Sequence, residues 1–518
     1  MKTKYIVVAA LASLMTLPVA AQETYQDTKL IDNDLNGTAR YVGMGGAMEA
    51  LGADISTIST NPAGLGLMRK GQVSLTGGLV SQSGVSNDLR YRDISVRING
   101  NQTNASFDQI GIVYPVKFMG QSRLTLGFNY HKSRNFDQIL SAGGVLNNAS
   151  QGKLSAIKYD KVGEWGWNGV DANYQRLFEK TGEDGKKTMD YYNGTAYLFG
   201  QYQKGYIGEY DFNMSGSIND RVYLGLTVGL HDVNYRSNSI YTENLEQQAI
   251  SSNWESLKID GTGFDVKVGA IFLPVEGSPF RIGLYINSPV FYDLSLSGTN
   301  ALTVNSAAGN GNSDNNCSYD YRVYTPWKFG VSLGHTVSNV LALGATYEYS
   351  DYGTIDNRVI DGSYYDPWYG DVYDSSSSDD AMNSHTKSTL KGVHTLKLGA
   401  ELKVLPTLAL RAGYNYLSSV FDERGFRNGS IESPGVGYAT STDYTNWKAT
   451  NRFTCGLGFQ ASKNFSVDLA YQYSQTDGDF YPFMSYDGDT NPDNNCVVGA
   501  TKVSHKRSQL MATLTYRF

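Results

Sequence analysis

Gln509-Leu510-Met511-Ala512-Thr513-Leu514-Thr515-Tyr516-Arg517-Phe518 closes the chain. Read at alternate positions, Leu510, Ala512, Leu514, Tyr516 and Phe518 fall on one side. Gln509, Met511, Thr513, Thr515 and Arg517 fall on the other, which is mostly polar. That is the period of a β-strand with one apolar face. An aromatic residue at the end of such a strand suits the sealing strand of a membrane barrel. A soluble sandwich can end the same way, so the rest of the chain has to decide.

The other end carries Lys2 and Lys4, an apolar run from Ile6 to Val19, and the small residues Val19-Ala20-Ala21 before Gln22. This pattern predicts a secretory signal peptide over residues 1–21. The run is shorter than the roughly 18 residues of a spanning helix, and no cysteine follows it to take a lipid anchor. Beyond it no apolar stretch is long enough to span a bilayer as a helix. Hydrophobic residues make up 41% of the chain and mean hydropathy is -0.35. Those values fit a transmembrane barrel, in which only alternate residues touch lipid. The 56 glycines suit inward positions and turns, and the 38 tyrosines suit interfacial girdles. A net charge of -7 argues against a nucleic-acid partner.

Period-2 alternation predicts strands at 72–84, 106–116, 122–132, 206–218, 221–236, 257–273, 280–289, 322–336, 340–352, 391–403, 407–420, 449–461, 464–476 and 505–518. That is about fourteen, an even number, as single-chain bacterial barrels have. Their connections alternate. Short turns fall near Met119-Gly120-Gln121, Asn219-Asp220, Pro274 to Pro279, Val337-Ser338-Asn339, Val404-Leu405-Pro406 and Ser462-Lys463. Long loops are expected at 85–105, 133–205, 237–256, 290–321, 353–390, 421–448 and 477–504. Short turns at one end and long loops at the other match an antiparallel outer-membrane barrel over residues 72–518, with its long loops extracellular. Val222, Leu224, Leu226, Val228 and Leu230 should face lipid, and Tyr223, Gly225, Thr227, Gly229 and His231 the lumen. Arg123, Asp265, Lys267, Arg281, Glu348, Lys397, Glu401, Arg411, Asp468 and Arg517 fall on inward positions with mixed sign. That suits pairing with each other or with a plug better than an ion-selective ring.

Residues 22–71 do not alternate. They hold GMGGAMEALGADISTISTNPAGLGL from Gly43 to Leu67, in which Asn61-Pro62 reads as a helix cap and first helical position. This run, set just before the first strand, resembles the N-terminal hatch of the FadL/TodX family of outer-membrane transporters for long-chain fatty acids and other hydrophobic compounds. The terminal strand likewise resembles the signal read by the barrel assembly machinery. An Asn-, Tyr- and Gly-rich chain is similar to the Bacteroidetes branch, often labelled haemin receptors. The resemblance implies an all-β transmembrane barrel with a small helical hatch in its lumen. It implies passive uptake of a fatty acid-like hydrophobic molecule by a monomer in the outer membrane of a Gram-negative bacterium. It makes Asn61, Pro62, Ala63, Gly45, Gly46 and Asp54 the gate, and Met44, Met48, Leu51, Leu65 and Leu67 candidate ligand contacts.

Other chemistry is sparse. No pair among His131, His231, His335, His385, His394 and His505 has metal spacing. No enzyme, metal or cofactor is expected. Asp487 to Asp493 reads as a solvated acidic loop rather than a calcium loop. Asp-Asn-Asn-Cys recurs at Cys317 and Cys496, which are proposed to pair as a disulfide, with Cys455 free on the lipid side. A surface receptor for haem, with His131 and His231 at the rim, and a structural or adhesion barrel remain the alternatives.

Overall fold

A computed structural model describes residues 23–117, 122–161, 167–307, 309–338, 340–368, 370–431, 433–438 and 442–518. The signal peptide and the turn at Met119-Gly120-Gln121 lie outside the described residues. Fourteen antiparallel strands close into a barrel. They are β1 (Gln72–Ser83), β2 (Thr103–Lys117), β3 (Arg123–Asn135), β4 (Gly194–Ile218), β5 (Val222–Leu245), β6 (Ile250–Phe272) and β7 (Arg281–Asn287), followed by β8 (Lys328–Val337), β9 (Leu341–Asp351), β10 (Gly392–Leu405), β11 (Leu408–Leu417), β12 (Tyr444–Gln460), β13 (Phe465–Tyr481) and β14 (Thr501–Arg517). Each pairs with its neighbours in sequence, and β14 closes the ring on β1 with Leu75 opposite Leu514. Closure leaves no edge among these fourteen, so each finds partners on both sides.

The outer face is a belt of exposed Leu, Val, Ile and Phe. Leu224, Leu226, Val228 and Leu230 are exposed, while Tyr223, Thr227 and His231 between them are buried. Leu510, Leu514, Tyr516 and Phe518 point outward on β14, and Met511, Thr513 and Thr515 inward. A closed barrel wearing such a belt is how a chain crosses the outer membrane of a Gram-negative cell. The chain is an outer-membrane barrel. At the short-turn end Phe518 anchors the seam. Its N–H donates to Gly71 O at 3.0 Å, and its ring stacks near Tyr114.

Several expected loops prove to be sheet. Between 237 and 256, β5 runs on to Leu245 and β6 starts at Ile250, with a tight turn at Glu246–Gln248. The segment 290–321 is a hairpin, Phe291–Ser306 with Gly309–Tyr324. It continues the wall above β7 and β8. Pro289 and Pro326 mark the breaks, because a proline cannot donate to the ladder; the expected single strand 322–336 is therefore divided at residues 325–327. Within 133–205 the helices α3 (Gln151–Asp160) and α4 (Gly169–Phe178) roof the mouth. Asn168 and Asp171 form a capping box on α4, and Lys158 pairs with Asp171 at 2.9 Å in a buried site.

The tyrosines divide between two places. Tyr114, Tyr210, Tyr347, Tyr471 and Tyr516 are exposed on the outer face. Tyr235, Tyr292, Tyr319, Tyr321 and Tyr352 are buried in one inner cluster. The girdle reading thus accounts for only part of the tyrosine excess; others, such as these five, pack inside.

The three thiols are free, and the Cys317–Cys496 disulfide does not form. Cys317 lies against the cluster that includes Tyr319 and Tyr321, with Sγ 3.4 Å from Tyr438 O. Cys496 is buried in a separate cluster with Phe480 and Phe483, with Sγ 3.5 Å from Ser150 O. The repeated Asp-Asn-Asn-Cys motif therefore falls into two unconnected packing units. Cys455 is exposed on the outer face of β12, beside Leu457.

Candidate functional site

The N-terminal segment is almost wholly buried, although its backbone is mostly irregular. It contains α1 (Thr24–Ile31), α2 (Ala39–Gly43) and two single 3-10 turns, Ile55–Ser59 and Pro62–Leu67. Each start has its own cap: the side chains of Glu23, Thr38, Asp54 and Asn61 accept from Tyr25, Tyr41, Ser56 and Ala63 N–H groups respectively. Such caps satisfy backbone donors that a short helix leaves unpaired.

Hydrogen bonds tie this segment to strands all round the ring. Thr513 of β14 accepts from Ala39 N at 2.7 Å, and Thr454 of β12 donates to Gly43 O at 3.2 Å. Thr227 of β5 donates to Ile58 O at 3.1 Å, and Ser215 of β4 to Pro62 O at 2.7 Å. Asn36 donates to Asp108 of β2 and to Lys132 O of β3. Charge adds to this. Glu49 is fully buried and accepts from Lys397 Nζ at 2.8 Å, Thr346 Oγ1 at 2.7 Å and Tyr41 OH at 3.1 Å. Arg40 reaches Glu401 at 3.0 Å, and Arg411 joins Glu401 to Asp468 at 2.6 Å each. The mixed-sign lumen thus pairs partly with the segment and partly with itself.

Glycines on the wall make the close approach possible. Gly334, Gly344, Gly399 and Gly413 stand opposite one another on β8 to β11, forming a lateral row. A Cβ on Gly344 would lie 1.9 Å from Ala47 O, and one on Gly413 would lie 2.2 Å from Gly45 N. The backbone of residues 44–51 rests directly on this bare strip.

Of the proposed gate residues Gly45 lies on this strip, while Asn61, Pro62 and Ala63 lie against Gly225 of β5 and Gly269 of β6. Asn61 is fully buried; besides its cap, its Nδ2 donates to Ala270 O at 3.4 Å. Ala63 rests against Gly225, with its N 2.4 Å from where a Cβ there would stand. Gly45 and Gly46 take positive φ of 64° and 79° against β10 and β11. Asp54 caps its turn and accepts from Thr38 Oγ1 at 2.8 Å. The candidate ligand contacts are placed differently. Met44, Met48 and Leu51 pack with Val42, Ala470 and Met511; Leu65 packs with Ile55, Ile58 and Val113; Leu67 packs by Tyr223. None of these five lines a described cavity. They hold the segment to the wall, which is what burial of an apolar side chain at a close-packed contact does.

Three described cavities of about 160, 100 and 30 Å³ border the segment, and the first two share Asp32, Asp34, Leu417 and Arg452. The largest has two characters. One side is aromatic: Tyr25 stacks on Phe421 at 4.9 Å, with Tyr444, Trp447 and Phe136 alongside. The other side carries Arg134, Arg452 and Arg507. Asp34 lies 3.1 Å from Arg507 and 3.5 Å from Arg134. Burial works to raise the Asp34 carboxyl, but Arg507, Arg134 and Arg452 override it and hold it well below the usual carboxylate range. Arg452 donates to Asn415 Oδ1 at 2.9 Å. Sequence reading gave no sign of this group, because its members come from residues 34, 134, 452 and 507. An inward arginine on β3, β12 and β14 at the same height was the only available signal.

No family model and no curated protein matches the chain. Among solved structures, a Pseudomonas aeruginosa FadL homologue aligns with a TM-score of 0.50 and 13% identity, over 94% of this chain and 100% of that one. The chain shares that protein's fold. The Ralstonia pickettii toluene transporter TbuX aligns at 0.49 and 14% over 93% and 99%. The P. putida toluene transporter TodX aligns at 0.49 and 13% over 94% and 99%.

Proposed function

We propose that this barrel is a passive channel for hydrophobic small molecules, with residues 22–71 as its hatch. Its preferred cargo has an apolar body and an acidic head, as a long-chain fatty acid does. The observation that carries this reading is the two-sided cavity beside the hatch. The ring faces of Tyr25, Phe421 and Tyr444 suit an alkyl or aryl body. The lining carries six Lys and Arg side chains against the five carboxylates of Glu23, Asp32, Asp34, Asp137 and Asp443, a surplus of one positive charge for a further carboxylate, and arginine binds that group in a bidentate fork. The first two cavities adjoin, so a head group and part of a chain fit with the hatch seated. A full-length acyl chain needs the hatch to move, and release then follows the gradient.

A haem receptor is less favoured. His131 and His231 lie against Glu209 and Asp265 at 3.5 and 3.3 Å inside the wall cluster, rather than standing free at the rim. The test compares uptake of labelled oleate and toluene into proteoliposomes. Parent protein should carry both, and Arg452→Gln should lower oleate uptake several-fold while sparing toluene. Equal loss of both, or of neither, counts against an acidic head at this site.

A further inference from the structure

Strand pairing assembles a group that no spacing in the sequence announces. Glu209 of β4 stands opposite His131 of β3 on one side and His231 of β5 on the other. Two residues along β4, Asp211 stands opposite Gly229 of β5, which stands opposite Asp265 of β6. A Cβ on Gly229 would lie 2.2 Å from Asp265 Oδ1, 2.7 Å from Lys267 Nζ and 3.2 Å from Asp211 Oδ1. The missing side chain is what lets β4 and β6 meet across β5. His131, Glu209, Asp211, His231, Asp265 and Lys267 are all more than nine-tenths buried.

Lys267 Nζ donates to Glu209 Oε1 at 2.7 Å, Asp265 Oδ1 at 2.7 Å and Asp211 Oδ1 at 3.1 Å. Its three N–H groups are then all used, and carboxylate and imidazole atoms are left over. Glu209 Oε2 lies 3.5 Å from His131 Nε2, and Asp211 Oδ2 lies 3.7 Å from His131 Nδ1. Asp211 Oδ2, His131 Nδ1 and His231 Nδ1 have no hydrogen-bond partner among the described residues, and His231 Nε2 lies 3.3 Å from Asp265 Oδ1. Three carboxyl groups face one ammonium, so with all three ionised and the imidazoles neutral two negative charges stay uncompensated. Buried charge in that state is costly unless it is paired or coordinates a metal.

We propose that this cluster binds one divalent transition-metal ion, for which Zn²⁺ is the best fit. His131, Glu209 and Asp211 form one three-donor set, and Glu209, His231 and Asp265 another; within each set the ligand atoms lie within 4.8 Å of one another. Glu209 belongs to both, so one ion seated on its carboxylate can draw on either set, and its charge matches the two left uncompensated. Imidazole with carboxylate favours zinc over calcium or magnesium, which prefer all-oxygen sites. The smallest cavity borders Glu209, His231 and Asp265 together with Ile31, Asn33 and Ser59 of the N-terminal segment, which gives an ion a route from the lumen. The bound ion ties four successive strands together beside that segment.

The test uses the full chain folded in detergent, stripped with chelator and titrated with Zn²⁺ by calorimetry. One equivalent should bind. Glu209→Gln, checked as folded by heat-modifiable migration, should weaken binding by 100-fold or more, and the outward-facing His394→Gln should bind as the parent does. X-ray absorption on the zinc-loaded parent should show imidazole and oxygen donors at about 2.0–2.2 Å, a readout that holds even where the variant fails to fold. No saturable binding in the parent, undiminished binding in folded Glu209→Gln, or a metal shell without imidazole overturns the proposal.

Discussion

Lys397→Met is the sharpest probe of how the N-terminal segment is held. Glu49 is fully buried and has three partners: one ammonium and two hydroxyls. Removing Lys397 leaves a buried carboxylate with only Thr346 and Tyr41. Breaking one side of a buried ion pair costs about 3–5 kcal/mol. The surviving hydroxyls argue for the lower end, so about 3 kcal/mol, or roughly a hundredfold in an equilibrium constant. All fourteen strand pairings remain, so the loss falls on the seat of the segment rather than on barrel closure. The population of displaced segment should rise by about that factor. Planar-bilayer conductance reads it as frequent openings at an unchanged amount of heat-modifiable barrel. The double variant Glu49→Gln with Lys397→Met should recover most of the parental closure, because a neutral amide still bonds to both hydroxyls. Parental conductance in the single variant, or equal leakage in the single and double variants, would refute the reasoning.

Gly344→Val tests the bare strip. Ordinary contact begins at about 3.4 Å against the 1.9 Å that a Cβ would meet at Ala47 O, so the segment must retreat by about 1.5 Å. Conductance should rise, and a silent variant would show that the strip is not the seat. Asn61→Ala with Pro62→Ala removes a cap worth about 1 kcal/mol and the bond to Ala270 O. Oleate uptake should fall at an equal surface level of folded protein, and parental transport would reduce the triplet to a plain cap. Leu226→Arg is the contrasting control: a charge on the lipid face costs about 2–4 kcal/mol near the midplane, so it should lower the yield of folded barrel instead.

The transmembrane part of this fold was legible because lipid enforces strict alternation. Leu224 to Leu230 must be apolar at every second position, so strand and face are both written there. The upper halves of β5 and β6 were not. Ser237-Asn238-Ser239 lies beyond the belt, where both faces tolerate polar residues and the period disappears. The seat was half legible. Gly344, Gly399 and Gly413 fall on inward positions, yet only the pairing register shows that they form one row. Glu49 stands in the sequence as a single acid among small residues, and its meaning depends on Lys397, 348 positions away. The row His131, Glu209, His231 is invisible for the same reason, since linear spacing carries no information about lateral neighbours in a sheet.

The height of the wall has its own consequence. β5 is 24 residues long, about 80 Å of strand, or roughly 60 Å of vertical rise at the usual tilt. Its outward apolar run stops at Leu230, and from Asp232 onward the outer face carries Asn234, Arg236 and Asn238. An apolar band of about 25 Å therefore leaves roughly 35 Å of chimney standing clear of the lipid. A molecule already dissolved in the outer leaflet lies below that chimney and meets only the closed wall of the belt. Entry through the mouth is open to what arrives from above, among the surface sugars or in the surrounding fluid, and the same projecting rim is what a neighbouring cell, a phage or an antibody would touch first.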